Sequence, residues 1–186
     1  MAISLEKGGR FNLTKKEPGL QKIMVGLGWE MLTTQQVDAD VSVFMLAENG
    51  KLPMDENFIF YNNLKAPDGS IQHTGDNRTG VGEGDDEMVL VNLPLVSTEI
   101  SKILFISSIH DAATKKQNFG MLKEAYIRIV DVVTKREILR YDLGKEFASD
   151  TEVEFGNLEL INGDWHFTAS GQGSRKGLQG YVDIYA

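Results

Sequence analysis

Apolar and polar residues alternate along much of the chain with a period of two, which is typical of β-strands that bury one face. Seven segments show this pattern: Ile23–Leu27, Ala39–Leu46, Phe58–Tyr61, Met88–Leu93, Lys102–Ser107, Ala125–Val132 and Glu137–Asp142. Two further segments, Glu152–Leu160 and Trp165–Ser170, flank Asn162-Gly163-Asp164, a favoured hairpin turn. Many short strands separated by turn signals predict a sandwich or a barrel.

Helical signals are few. The segment 111–118 predicts one or two helical turns, with Asp111 as a cap and Gly120 as the stop. The tail from Ser174 to Ala186 has some helical character, but its two internal glycines argue against a helix. Since no linker or repeat interrupts the 186 residues, we expect a single domain, residues 1–186.

Composition narrows the function. The chain has no cysteine, which excludes thiol catalysis, disulfides and thiolate metal sites. Its net charge of −8 argues against nucleic-acid binding, because phosphate contacts need clustered Lys and Arg. The N-terminal residues do not form a signal peptide, and no apolar run is long enough to insert into a membrane. We therefore expect a soluble cytoplasmic protein.

The most unusual segment is an acidic, glycine-rich loop, defined here as residues 68–87. It carries six carboxylates and one fixed positive charge, Arg78, so its net charge is −5. The acids are Asp68, Asp76, Glu83, Asp85, Asp86 and Glu87, and Asn77 adds an amide oxygen. Five glycines allow sharp turns that let oxygen atoms converge.

A hard cation relieves the repulsion among these carboxylates. Calcium takes about six to eight oxygen ligands at about 2.3–2.6 Å, whereas magnesium keeps more of its water. The loop therefore predicts a calcium site. Its spacing is not that of an EF-hand, and its acids would repel a phosphate group.

Three more acids are candidates for the same cluster. Asp38 and Asp40 immediately precede the apolar strand at Val41, where they either project toward the loop or serve as turn residues. Asp111 either caps the short helix or reaches the cation. His73 lies within the acidic loop and is expected to shape it, because no histidine pair has a metal-ligand spacing.

These residues together resemble the TerD family of tellurium-resistance and general stress proteins. The resemblance extends over nearly the whole chain and rests on these motifs: Gly8–Thr14, Val25–Trp29, Phe58–Leu64, Pro67–Ser70, His73–Asn77, Thr79-Gly80, Gly82–Glu87, Ile109–Ala112, Gln117–Gly120, Arg140–Leu143, Phe155-Gly156 and Gly171–Gly173. It implies a mainly β, two-sheet β-sandwich with one or two short helices and long metal-binding loops. It also implies a calcium site whose ligands come from Asp38, Asp40, Asp68, Asp76, Asn77, Glu83, Asp85, Asp86 and Glu87.

The resemblance further implies a non-enzymatic role in tellurite resistance and stress response. The partners it implies are other stress-system proteins, including a membrane-embedded protein at the inner face of the cell membrane. One departure concerns the site itself: Val81 stands where the family often has an acid, which leaves the number of calcium ions open.

Two other functions are compatible with the sequence. A metal-dependent hydrolase could use the carboxylate cluster, with magnesium or manganese at an open site. Direct handling of tellurite is disfavoured, because tellurite is an anion, the loop is acidic and no thiol is available to reduce it.

Overall fold

The computed structural model of the protein describes residues 2–32, 36–74 and 84–186. These residues form thirteen β-strands, three α-helices and four short 3₁₀ helices. The strands are β1 (Ile3–Leu5), β2 (Arg10–Asn12), β3 (Lys22–Met31), β4 (Ala39–Leu46), β5 (Phe58–Ile59), β6 (Ile71–His73), β7 (Glu87–Asn92), β8 (Lys102–Ile109), β9 (Leu122–Asp131), β10 (Glu137–Asp142), β11 (Glu152–Ile161), β12 (Asp164–Thr168) and β13 (Gln172–Ser174). The α-helices are α1 (Leu13–Lys16), α2 (Ala112–Lys115) and α3 (Gly177–Tyr185), and the 3₁₀ helices are Asp55–Asn57, Leu93–Leu95, Phe119–Met121 and Lys145–Phe147.

The strands build two sheets. In the first sheet the order is β1-β10-β9-β3-β7-β6, and in the second it is β2-β12-β11-β8-β4-β5, with β13 paired to β11. The β1–β10 pair is parallel, whereas the other pairs formed by the described strands are antiparallel. The mainly β, two-sheet architecture confirms the predicted fold class.

A single large apolar core joins the two sheets. Val25 of β3 and Ile127 of β9 enter it from the first sheet, and Val43 of β4 and Phe105 of β8 enter it from the second. All four side chains are fully buried. Because side chains on a strand alternate between faces, the neighbours of these four residues along each strand point away from this core.

The outer face of the second sheet carries a smaller apolar cluster under helix α3. Its buried members are Phe44, Leu46, Leu104, Ile106 and Tyr181. The expectation that glycines would prevent a helix in this tail was wrong. Gly177 is the first helical residue, and Gly180 leaves room for the Lys176 side chain, so neither glycine interrupts the packed face.

The predicted strands are confirmed, with some changes at their ends. The turn between β11 and β12 has positive φ angles at Asn162 (52°) and Gly163 (84°), as a two-residue hairpin of type I′ requires. Strand β5 is shorter than predicted, because Phe60 forms a bridge with Asn63 and the chain turns there. The predicted helix after Asp111 is the four-residue α2, which ends at Lys115 rather than at Gly120.

Within the described ranges, no helix combines the length and the apolarity needed to cross a bilayer.

Candidate metal centre

The acidic loop connects two paired strands of the first sheet. Strand β6 precedes its central part and β7 follows it, with His73 opposite Val89 in the antiparallel register. The predicted ligands Asp76, Asn77 and Glu83 lie outside the described residues, as does Val81. The described parts of the loop, residues 68–74 and 84–87, therefore show how the loop is attached to the sandwich.

Asp38 and Asp40 lie at the start of β4 in the second sheet. Asp38 is exposed and its carbonyl accepts a hydrogen bond from the backbone of His110, while Asp40 is half-buried opposite Ser108. The ring of His73 connects this region to the acidic loop, because its Nε2 lies 3.2 Å from the carbonyl oxygen of Val41. The structure therefore brings the start of β4 next to the point where the acidic loop leaves β6.

Asp68 lies at the other end of the β6–β7 pair. Its carboxylate accepts hydrogen bonds from Ser70 N (2.8 Å), Ser70 Oγ (2.6 Å) and Ser97 N (2.8 Å). Since β7 has six residues with a rise of about 3.3 Å each, its two ends are roughly 17 Å apart. Asp68 thus stabilises a turn near the end of β7, whereas Glu87 lies at the beginning of that strand.

Asp85 is held by an ion pair on the outer face of the first sheet. Its Oδ1 accepts hydrogen bonds from Arg128 Nε (2.8 Å) and from the Tyr126 hydroxyl (2.9 Å), and its Oδ2 accepts one from Arg128 Nη2 (2.9 Å). The Asp85 side chain is only 1% exposed. Arg128 also contacts Glu137 at 3.0 Å, so it links the end of the acidic loop to β9 and β10.

The two acids that follow face different partners. Asp86 Oδ2 accepts a hydrogen bond from Trp29 N (2.8 Å), and Asp86 N donates one to the Leu27 carbonyl. Glu87 points inward, where its Oε2 lies 3.1 Å from His73 Nε2 and both side chains are almost fully buried. All three acids from Asp85 to Glu87 therefore contact the sandwich itself.

These contacts shift the protonation equilibria of the residues around the Asp85 ion pair. The bond to Asp85 raises the pKa of Arg128, which keeps the guanidinium charged. Burial, reinforced by the charge of Asp85, raises the pKa of Tyr126 to about 12. Burial also raises the pKa of Asp86, although the Trp29 N–H opposes this and the charge of Asp85 adds to it.

The described residues alone do not assemble a cation site. Among residues 2–32, 36–74 and 84–186, no three His, Asp or Glu side chains are grouped closely enough to hold a metal ion. Asp38 and Asp40 therefore belong to no such group within these ranges. Asp111, the further candidate, is exposed, and its Oδ2 lies 3.2 Å from Nε2 of its neighbour His110.

Sequence reasoning missed the residues that hold the loop. Tyr126 and Arg128 face outward on β9, which is the polar side of an alternating strand, so nothing in the local pattern separates them from solvent-exposed residues. A usable signal was Gly26-Leu27-Gly28, because two alternating glycines in one strand indicate a close approach by another group.

Comparisons with known proteins agree with this architecture. The TerD domain model matches residues 1–185, so the chain belongs to the TerD family. It is 47% identical over 180 residues to the tellurium resistance protein TerD of Serratia marcescens, covering 96% of this chain and 94% of that protein. It is 48% identical over 181 residues to general stress protein 16U of Bacillus subtilis (strain 168), with the same coverage.

A solved structure has the same fold. The crystal structure of a homologue of telluride resistance protein (TerD) from Streptomyces coelicolor A3(2) superposes with a TM-score of 0.70 at 19% identity. The match covers 88% of this chain and 96% of the other. The protein is thus a member of a tellurium-resistance and stress-protein family with a two-sheet β fold.

Proposed function

We propose that this protein binds calcium through its acidic loop and serves as a non-enzymatic component of a tellurite-resistance and stress-response system. The observation that carries the proposal is the meeting of two acidic segments. The start of β4, with Asp38 and Asp40, lies beside the end of β6, from which the loop bearing Asp76, Asn77 and Glu83 departs. Carboxylate and amide oxygens are the donors that calcium prefers.

The charge of the loop supports the same proposal. The loop has a net charge of −5, and among its described residues Asp85 is paired with Arg128. Two charges about 4 Å apart interact by roughly 1 kcal/mol in water and by more near a protein surface. A divalent cation would lower this repulsion.

We further propose that the protein acts in the cytoplasm through protein partners, including a membrane-embedded one at the inner face of the membrane. The names of the relatives place them in tellurium resistance and general stress. We expect contact with the membrane to depend on such a partner, and no described helix is long and apolar enough to span a bilayer.

Thermal unfolding tests the calcium proposal. Calcium at about 100 times its dissociation constant should add roughly 2.7 kcal/mol to the free energy of unfolding, measured against protein in chelator. Magnesium at the same concentration should give a smaller shift. An unchanged midpoint at millimolar calcium contradicts the proposal.

Matched variants then locate the site. Asp40→Asn and Asp76→Asn should each weaken calcium binding in calorimetry, because each removes a charged oxygen ligand. Glu48→Gln is the control, since Glu48 is an exposed acid just beyond the opposite end of β4. Equal affinities for all three variants would place the site elsewhere.

One observation favours the alternative of a metal-dependent hydrolase. A pocket of about 700 Å³ lies against Asp40 on the outer face of the second sheet, and its lining includes Ser42, Ser108, His110 and Glu152. A hydrolase should cleave model phosphoesters in magnesium or manganese, and Asp40→Asn should abolish that activity. Calcium binding without turnover would instead support the non-enzymatic role.

A further inference from the structure

The outer face of the first sheet contains a narrow trench over strand β3. Gly26 and Gly28 alternate with the core residues Val25 and Leu27, so they face outward. A Cβ atom at Gly26 would overlap the carboxylate of Asp85, and one at Gly28 would overlap the hydroxyl of Tyr126. The two glycines therefore allow the end of the acidic loop to lie directly on the backbone of β3.

The walls of this trench hold the Asp85 carboxylate firmly. Arg128 donates from two nitrogen atoms and Tyr126 from its hydroxyl, so three donors already occupy a group with about four lone-pair sites. The guanidinium of Arg140 lies 3.7 Å from the centre of the Tyr126 ring, on its face, and fixes the ring from the other side. Bidentate charge-assisted pairs of this kind are among the stronger hydrogen-bonded contacts in proteins.

This arrangement argues against Asp85 as a calcium ligand. Calcium would have to approach within about 2.3–2.6 Å of a carboxylate that already contacts the positive charge of Arg128. The two cations would then repel each other across one buried side chain. The ion pair instead gives Asp85 a different role, which is to hold the chain at the point where the loop re-enters the sandwich.

Holding this point affects the whole loop. Asp85 lies two residues after the predicted ligand Glu83, and Asp86 fastens the next residue, because its N–H donates to the Leu27 carbonyl and its Oδ2 accepts from Trp29 N. A loop whose end is already fixed loses less conformational entropy when it binds an ion.

We propose that Arg128 and Tyr126 are positioning residues for the cation site, and that they act by clamping Asp85 into the Gly26–Gly28 trench. This inference rests on the proposed calcium function, and it reassigns Asp85 from metal ligand to anchor. It also predicts that a change on the outer face of the first sheet alters calcium affinity without removing any ligand.

Gly26→Ala is the most direct test, because it displaces Asp85 while leaving every charged group in place. We expect it to weaken calcium binding at least fivefold in calorimetry, the lower end of typical coupling between sites. It should also lower the melting temperature in chelator. Gly144→Ala is the control: it adds the same methyl group outside the acidic loop, where only the Glu146 side chain has to move, so the calcium affinity should stay at the wild-type value.

Asp85→Asn separates an anchor from a ligand. An anchor predicts that this variant loses stability in chelator and weakens calcium binding, and that combining it with Gly26→Ala adds little, because both act on one contact. A ligand predicts instead that Asp85→Asn lowers the calcium affinity well beyond the effect of Gly26→Ala, because a coordinating oxygen is lost in addition to the displaced contact. If Gly26→Ala does not fold, Tyr126→Phe removes a single hydrogen bond to Asp85 and should shift both quantities in the same direction.

The outcomes distinguish the inference from the function on which it rests. If the wild-type protein binds calcium and Gly26→Ala binds it equally well, the positioning role is overturned and the proposed function stands. If the wild-type protein binds no calcium, the proposed function fails, and the positioning role for a cation site fails with it.

Discussion

Three consecutive acids, Asp85, Asp86 and Glu87, have three different environments. Asp85 lies on the outer face of the first sheet against Arg128, Asp86 bonds to the backbone of β3 at Trp29, and Glu87 enters the space between the sheets beside His73. The sequence alone does not distinguish these acids, because their charge and spacing do not show which face of the sheet each side chain occupies. At the residue scale, these three acids therefore attach the end of the acidic loop to the sandwich.

The hydroxyl of Tyr126, which bonds to Asp85, makes the stability of the protein depend on pH. Its pKa in the folded protein is about 12, against 10.0 for an ordinary tyrosine, because burial and Asp85 favour the neutral phenol. A raised pKa means that this contribution to stability is complete below pH 10 and is lost as the pH rises from 10 to 12. We expect Tyr126→Phe to unfold with a weaker pH dependence in that interval.

Absorbance of the tyrosinate ion checks this prediction. Tyr185 also has a pKa of about 12, so the wild-type protein should show a late phase with contributions from both residues. Tyr126→Phe and Tyr185→Phe should each reduce the amplitude of that phase. An unchanged late phase in Tyr126→Phe would mean that its hydroxyl titrates normally.

At the scale of elements, helix α3 is held at both ends and along one face. The buried carboxylate of Glu152 accepts a hydrogen bond from Gly177 N at 3.0 Å, and Lys51 Nζ donates to the carbonyl oxygens of Ile184 and Ala186 at the other end. The ring of Tyr181 packs near Phe44 in the cluster on the outer face of the second sheet. Packing and capping thus outweigh the low helix propensity of two glycines.

Replacing Tyr181 should destabilise this element strongly. Tyr181 is 5% exposed, and truncating a buried aromatic side chain to alanine typically costs about 3–5 kcal/mol. Asp183→Ala, on the exposed side of the same helix, is the control and should cost less than about 0.5 kcal/mol. Urea unfolding of both variants measures the difference, and similar costs would show that α3 contributes little packing.

At the scale of the molecule, the two sheets share one core and should unfold together. Each sheet contains one of the two tryptophans, Trp29 on β3 and Trp165 on β12. Trp165→Phe leaves a fluorescence probe in the first sheet and Trp29→Phe leaves one in the second. A shared core predicts that each single-tryptophan protein shows the same unfolding midpoint by fluorescence as by circular dichroism.

The centre of the core supplies the corresponding energetic test. Phe105 of β8 is fully buried, so Phe105→Ala should lower the free energy of unfolding by about 3–5 kcal/mol. In the two single-tryptophan backgrounds, the midpoints reported from both sheets should fall together. A shift confined to the Trp165 probe would show that the second sheet unfolds on its own.

The success of sequence prediction varied with how much of each element is buried. Strands β4 and β10 begin and end where the pattern placed them, because half or more of the residues in each are buried. The short strands β1, β2, β6 and β13 escaped prediction, since three residues are too few to show a period. These short strands form because they pair with neighbouring strands, and their own sequences carry no alternation.

By itself, the sequence determined the mainly β class, most of the long strands, the β11–β12 hairpin and the acidic loop, because alternation, turn residues and charge density are local properties. Only the tertiary structure decided where the ends of that loop are attached. Asp85, just before β7, contacts Arg128 and Tyr126 of β9 above the glycines of β3. Asp68 lies at the far end of β7. Such contacts join residues that are distant in the chain, and no local pattern encodes them.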